Sequence, residues 1–108
     1  EAVKEVHVES FIKEYIVSLV EKTRHHPALY LGASPRGSLA LFRLSQANAL
    51  LKERDYVLPD DVKEMIVPAL AHRLIINSSY RIQGATGISV ISEILEMVSV
   101  PGNIPRFS

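Results

Sequence analysis

The apolar residues Val8, Phe11, Ile12, Tyr15, Ile16, Leu19 and Val20 recur at the spacing that lines one face of an α-helix. Glu9, Ser10, Lys13, Glu14, Ser18, Glu21 and Lys22 fill the other face. This stripe commits the chain to a helix from about Val8 to Arg24 that must bury one side against other elements. Lys22 and Arg24 occupy its last turn with His25 just beyond, which suits the negative end of the helix dipole, and Pro27 stops it.

A second helix is expected from Pro35 to about Lys52, with Ser34 as N-cap and Pro35 at the favoured first position. Apolar residues lie around most of its circumference and charge is sparse between Arg36 and Lys52, the mark of a central helix packed on several sides. Arg54-Asp55-Tyr56-Val57 reads as a short extended connector. Pro59 opens a third helix carrying Val62, Met65, Ile66, Ala69 and Leu70, with Asp60 and Asp61 in the first turn and Pro68 inside as a source of a kink. Leu58 stands at its N-cap position, where no side-chain oxygen is available.

The stretch Ile75 to Gly87 carries no clear period; Gly84 and Gly87 bracket a turn. A last helix covers about Ser89 to Val98, with Val90, Ile91, Ile94, Leu95 and Val98 inward. Pro101-Gly102-Asn103-Ile104-Pro105 is a tail without helical signal. The expected fold is all-α, a small four-helix bundle occupying 1–108 as one domain.

Composition narrows the function classes. At 47% hydrophobic and 22% charged, the chain falls in the ordinary globular range. Twelve basic and twelve acidic residues cancel, which argues against duplex DNA as a partner. Cysteine is absent, so neither a disulfide framework nor a thiolate metal site can form. No segment approaches the ~20 apolar residues needed to span a bilayer. A start on Glu1 rather than methionine suggests a fragment of something longer.

The chain lacks a phosphate-binding Gly-x-x-x-x-Gly-Lys-Ser/Thr loop, a Gly-x-Ser-x-Gly elbow and a His-Glu-x-x-His pair. His25-His26 is the nearest thing to a metal pair, but adjacent residues at a helix end point about 100° apart, and a helix-end cap is the ordinary role. His72 reads as a packed or capping residue. Asp60 and Asp61 read as first-turn acids rather than an acid–base pair. No metal is expected.

Arg36 differs. It occupies the second position of its helix, where unpaired amides and the dipole disfavour a cation by ~0.3–1 kcal/mol. No acid stands in that first turn, and the capping-box position is Gly37. A cation beside free N–H groups forms an anion site, most naturally for phosphate. Pairing with a carboxylate from elsewhere in the chain, or exposure to water, fits the spacing equally well.

The string Leu31-Gly32-Ala33-Ser34-Pro35-Arg36-Gly37-Ser38 resembles the start of the lid helix in MoxR-type AAA+ ATPases. Tyr15-Ile16 with Thr23-Arg24, Arg54-Asp55-Tyr56-Val57 with Pro59-Asp60-Asp61-Val62, and His72-Arg73-Leu74 agree in order, from about Val6 to Val100-Pro101. The resemblance implies a C-terminal helical lid whose nucleotide-binding core is absent from the chain. It implies that Arg36 is the sensor-2 arginine and that Ser34, Pro35 and Arg36 form a nucleotide-facing turn. ATP and magnesium would be held mainly by the core, with no cofactor expected in the fragment. The implied partners are the core, neighbouring subunits of a ring (a hexamer) and a client protein remodelled in chaperone-like fashion; nucleic acid and membrane are not expected, and the location is cytoplasmic. The sequence departs from the pattern at Leu58, where a small hydroxyl residue is expected, and follows it only loosely from Asn77 to Thr86.

The alternative from another class is a histone-fold-like interaction module without an ATPase role. It rests on the long central helix flanked by shorter ones and on the Val57-x-Pro59-x-Asp61-Val62 opening.

Overall fold

Among the described residues, five α-helices and a two-stranded antiparallel ladder follow one another in the order α1 (Ser10–His25), β1 (Leu29–Leu31), α2 (Pro35–Leu51), α3 (Pro59–Leu70), β2 (Ile75–Ile76), α4 (Ser78–Ile82) and α5 (Gly87–Met97). They are seen in a computed structural model that describes residues 2–32 and 34–100. Ala33 and the expected tail from Pro101 to Pro105 lie outside the described residues. The four expected helices are present as α1, α2, α3 and α5, and the all-α class holds. The additions are a single-turn helix, α4, and the short β1–β2 ladder.

The apolar stripe of α1 is buried as its period demands: Ile12, Tyr15, Ile16, Leu19 and Val20 all face the core. The helix begins two residues later than the stripe suggests. Val6 and Val8 are buried but extended, because this segment runs beside the connector at 55–57. His7 N–H donates to Asp55 O at 2.8 Å and Val57 N–H donates to His7 O at 2.9 Å. Two β-branched residues around a paired backbone satisfy strand geometry better than a first helical turn.

In α2, Gly37, Leu41, Ser45 and Ala49 are buried at intervals of four residues. Three of them are small, and the most extensive contact of α2 is with α3. The expected packing on several sides is present, against α3, α1 and the 3₁₀ turn at Ala2–Glu5, but the apolar circumference is not fully covered. Leu39 is 55% exposed and Leu51 83% exposed, so the outward face of α2 is bare.

Pro68 does not end α3. Its ring is exposed, the helix continues to Leu70, and the chain then tightens into a 3₁₀ turn at Ala71–Arg73. The last helix starts earlier than its apolar residues indicate because Thr86 caps it. Thr86 Oγ1 accepts from Ser89 N–H at 3.0 Å while Ser89 Oγ accepts from Thr86 N–H at 2.9 Å, a reciprocal capping box. Gly84 turns the chain before it with φ of +98°, a conformation that favours glycine. Gly87 is not part of that turn; it is the first residue of α5.

Asp61 departs furthest from expectation. Asp60 is the exposed first-turn acid, whereas Asp61 has no exposed surface. Arg54 grips its carboxylate through two N–H groups at 2.7 and 2.9 Å, Asn48 Nδ2 donates at 2.9 Å, and Leu58 N–H donates at 2.7 Å. Leu58 has no side-chain acceptor, so the start of α3 is secured from the other direction, by Asp61 reaching back to the N-cap amide.

Gly32 provides the second tight constraint. A Cβ built there would lie 2.5 Å from Thr23 O and 2.8 Å from Arg24 N, so the chain after β1 rests directly on the last turn of α1. Thr23 Oγ1 in turn donates to Val20 O at 2.6 Å.

Two outcomes follow. Burial works to raise the Asp61 pKa, but the bonds from Arg54, Leu58 and Asn48 outweigh it and hold the carboxyl below its ordinary value. A carboxyl lowered on folding stabilises the fold above its unfolded value of about 3.9, and this contribution is lost as pH falls through the folded value. Asp61→Asn should therefore flatten the acid side of the stability profile and cost ~1–3 kcal/mol, because the charge-assisted bonds that Arg54, Asn48 and Leu58 donate to the buried carboxylate are weakened. Urea unfolding across acid and neutral pH checks both, and wild-type stability in the variant overturns the account. Gly32→Ala should cost ~1–3 kcal/mol and shift the amide resonances of Ser34 to Gly37, because only backbone movement can relieve the contact. An alanine variant with unchanged stability and spectrum contradicts the close approach.

Candidate functional site

The turn that carries Ser34, Pro35 and Arg36 is assembled by helix-start chemistry. Ser34 is extended (φ −89°, ψ 173°), and its carbonyl accepts from Gly37 N–H at 2.9 Å and Ser38 N–H at 3.2 Å. Ser34 is the N-cap as expected, but it caps through its carbonyl and its hydroxyl makes no capping bond. Pro35 has no N–H to satisfy, so Arg36 N–H is the first-turn amide without an acceptor among the described residues. The several free amides anticipated at this helix start reduce to one.

Arg36 is exposed, and among the described residues no carboxylate pairs with it. The first turn of α2 contains no acid. Of the arrangements open from spacing, an internal ion pair is absent here, and an unpaired guanidinium faces outward at the positive end of a helix. Such a position attracts an anion.

The turn borders an apolar groove of about 330 Å³ between α1 and α2, lined by Lys13, Ile16, Val17, Pro35, Ser38, Leu39 and Phe42. Val17 is 57% exposed within it. Pro35, the residue before the arginine, thus lines a hydrophobic surface rather than a polar cleft.

The other sequence candidates disperse. His25 is exposed and lies 3.5 Å from Glu21. His26 turns inward, with Nε2 2.8 Å from Glu93 Oε1 and Nδ1 accepting from Ala28 N–H at 3.0 Å. The two rings serve different partners and do not converge. His72 is exposed on the 3₁₀ turn rather than packed. Lys52 and Asn48 hydrogen-bond Glu64 and hold its carboxyl below the usual range.

Sequence reading missed the His26–Glu93 link and the Asn48–Asp61 bond. Both join residues distant in the chain, and no local period signals them. A buried partner for Arg54 was readable in part, since two acids follow it within one helical start.

Comparison with known proteins agrees with this architecture. The family model for the AAA lid domain matches residues 21–94. An uncharacterized protein, YeaC of Bacillus subtilis, is 44% identical over 99 residues, covering 92% of this chain and 31% of that protein. Chaperone MoxR1 of Mycobacterium tuberculosis is 34% identical over 97 residues, covering 82% of this chain and 26% of that protein. A crystal structure of a protein from Cytophaga hutchinsonii proposed to be an ATPase superposes with a TM-score of 0.87 at 31% identity, covering 92% of this chain and 33% of that one. The chain spans about a quarter to a third of the length of these relatives. Helix order, the bare arginine turn and these matches together establish that the chain belongs to the AAA lid domain family, as a lid of the MoxR type.

Proposed function

We propose that this chain is the lid of a longer AAA+ ATPase and that Arg36 is its sensor-2 arginine. The observation that carries the reading is the unpaired, exposed Arg36 at an acid-free helix start. Its guanidinium fits an anionic oxygen, and its own amide is free for the same ligand. ATP with magnesium, held by a core outside this chain, supplies such an oxygen at the γ-phosphate. Arg36 then stabilises the charge that develops there during hydrolysis, and Ser34 and Pro35 shape the turn that presents it.

The groove beside the turn supports a docked core. Val17 and Leu39 are exposed in the groove that Pro35 lines, and a core docked over them would exclude water from that face of the lid. On this reading lid movement and hydrolysis are coupled because the same turn meets both the core and the phosphate. Ring assembly, with six subunits the arrangement implied by the resemblance, and remodelling of a client protein in the cytoplasm complete the proposal. Among the described residues no helix is long and apolar enough to cross a membrane.

In the longer ATPase, Arg36→Ala should lower kcat ~10- to 100-fold while changing nucleotide affinity much less, as expected for a group that acts on developing charge. Steady-state kinetics beside nucleotide titration measures the split; wild-type values for both remove the sensor assignment. The 108-residue chain alone should show no turnover, because the phosphate-binding loop is not in it. Magnesium-dependent ATP hydrolysis by the purified chain, tracked to the chain itself by Arg36→Ala, would falsify the two-part site.

A further inference from the structure

His26 closes α1, and its ring is 6% exposed while the Glu93 side chain it meets is 66% exposed. A ring nitrogen that accepts an N–H carries no proton of its own. Nδ1 accepts from Ala28, so the proton sits on Nε2 and is donated to the Glu93 carboxylate. One tautomer is thereby specified, with one nitrogen serving the loop and the other serving α5.

The segment that follows is bonded at each step. His26 O accepts from Leu29 N–H at 3.1 Å, Asn77 Nδ2 donates to Pro27 O at 2.9 Å, and Asn77 N–H donates to Ala28 O at 2.8 Å. β1 then pairs with β2 and delivers Gly32 onto the Thr23 carbonyl. From His26 to Gly32 the backbone is held by its own turn, by Asn77, by β2 and by the last turn of α1.

We propose that His26 is a positioning residue for Arg36, fixing through its Ala28 and Glu93 bonds the direction in which the chain leaves α1 for the arginine turn. This rests on the sensor reading of Arg36 given above. A buried joint made only for stability would be as well filled by an apolar side chain, whereas a ring that must satisfy two directed bonds specifies an angle. Glu93 is the accessible half of the joint, so the bond can be removed without opening a hole in the core. The assignment joins α5, near the end of the described chain, to a turn more than fifty residues earlier.

Two experiments on existing molecules test it. In the 108-residue chain, long-range proton–nitrogen spectra should show His26 bare at Nδ1 and protonated at Nε2. Glu93→Ala should shift the amide resonances of Arg36 and Gly37 as well as those near Ala28, and Glu93→Gln, which keeps an acceptor, should restore them. His26→Asn, which keeps an acceptor on the Ala28 side, should shift them less than His26→Ala. In the longer ATPase, Glu93→Ala should lower kcat about 3- to 10-fold with KM within about twofold, glutamine should rescue it, and the loss should vanish in an Arg36→Ala background. Shifts that stop at Ala28, or a wild-type kcat for Glu93→Ala where Arg36→Ala is slow, overturn the positioning role and leave the sensor reading intact. A wild-type rate for Arg36→Ala itself overturns the sensor reading, and the role of His26 with it.

Discussion

Four donors converge on the carboxylate of Asp61, a side chain with no exposed surface, and they arrive from three parts of the chain. Asn48 brings the end of α2, Arg54 brings the connector, and Leu58 brings the backbone before α3. Moving a carboxylate out of water costs several kcal/mol, and only a nearly complete set of partners offsets it. The charge is therefore tolerated only when α2, the connector and α3 meet in one arrangement. That arrangement sets how α2 meets α3, and with it the axis of the helix whose first turn holds Arg36.

The sequence made the helical plan legible wherever period and punctuation agreed. Pro35 and Pro59 marked helix starts correctly because their fixed φ and missing N–H suit the first helical position. The stripe of α1 named its buried residues because a helix has one face to bury. Asp61 was not legible: an acid in a first turn suits solvent and burial equally, and the choice depends on Asn48 and Arg54 arriving from elsewhere. Ser34 was legible as the N-cap, but the way it caps was not. Its type and backbone suit a cap, but Gly37 and Ser38 satisfy their amides on its carbonyl, so its hydroxyl has less to gain. β1, β2 and α4 are too short to impose a period, and they form because the neighbouring backbone offers partners.

At the arginine turn, the residues were readable and their surroundings were not. Helix electrostatics alone could not separate an internal ion pair from an outward-facing cation. The fold makes that distinction by placing every carboxylate with a described ionic partner elsewhere. It also adds the apolar groove, which arises because α1 and α2 each carry more hydrophobic circumference than their mutual packing covers. A turn that joins an arginine to an apolar rim suits a surface that closes over a charged ligand, since desolvation strengthens the attraction once closure is complete.

The close approach of Gly32 to Thr23 has a mechanical meaning. With no side chain between the two backbones, the end of α1 and the strand leaving it travel as one piece. Any change in the direction of the last turn of α1 is therefore passed directly to the backbone at Gly32. The direction in which the chain leaves α1 is set there by two backbones in contact, and no side chain stands between them to yield.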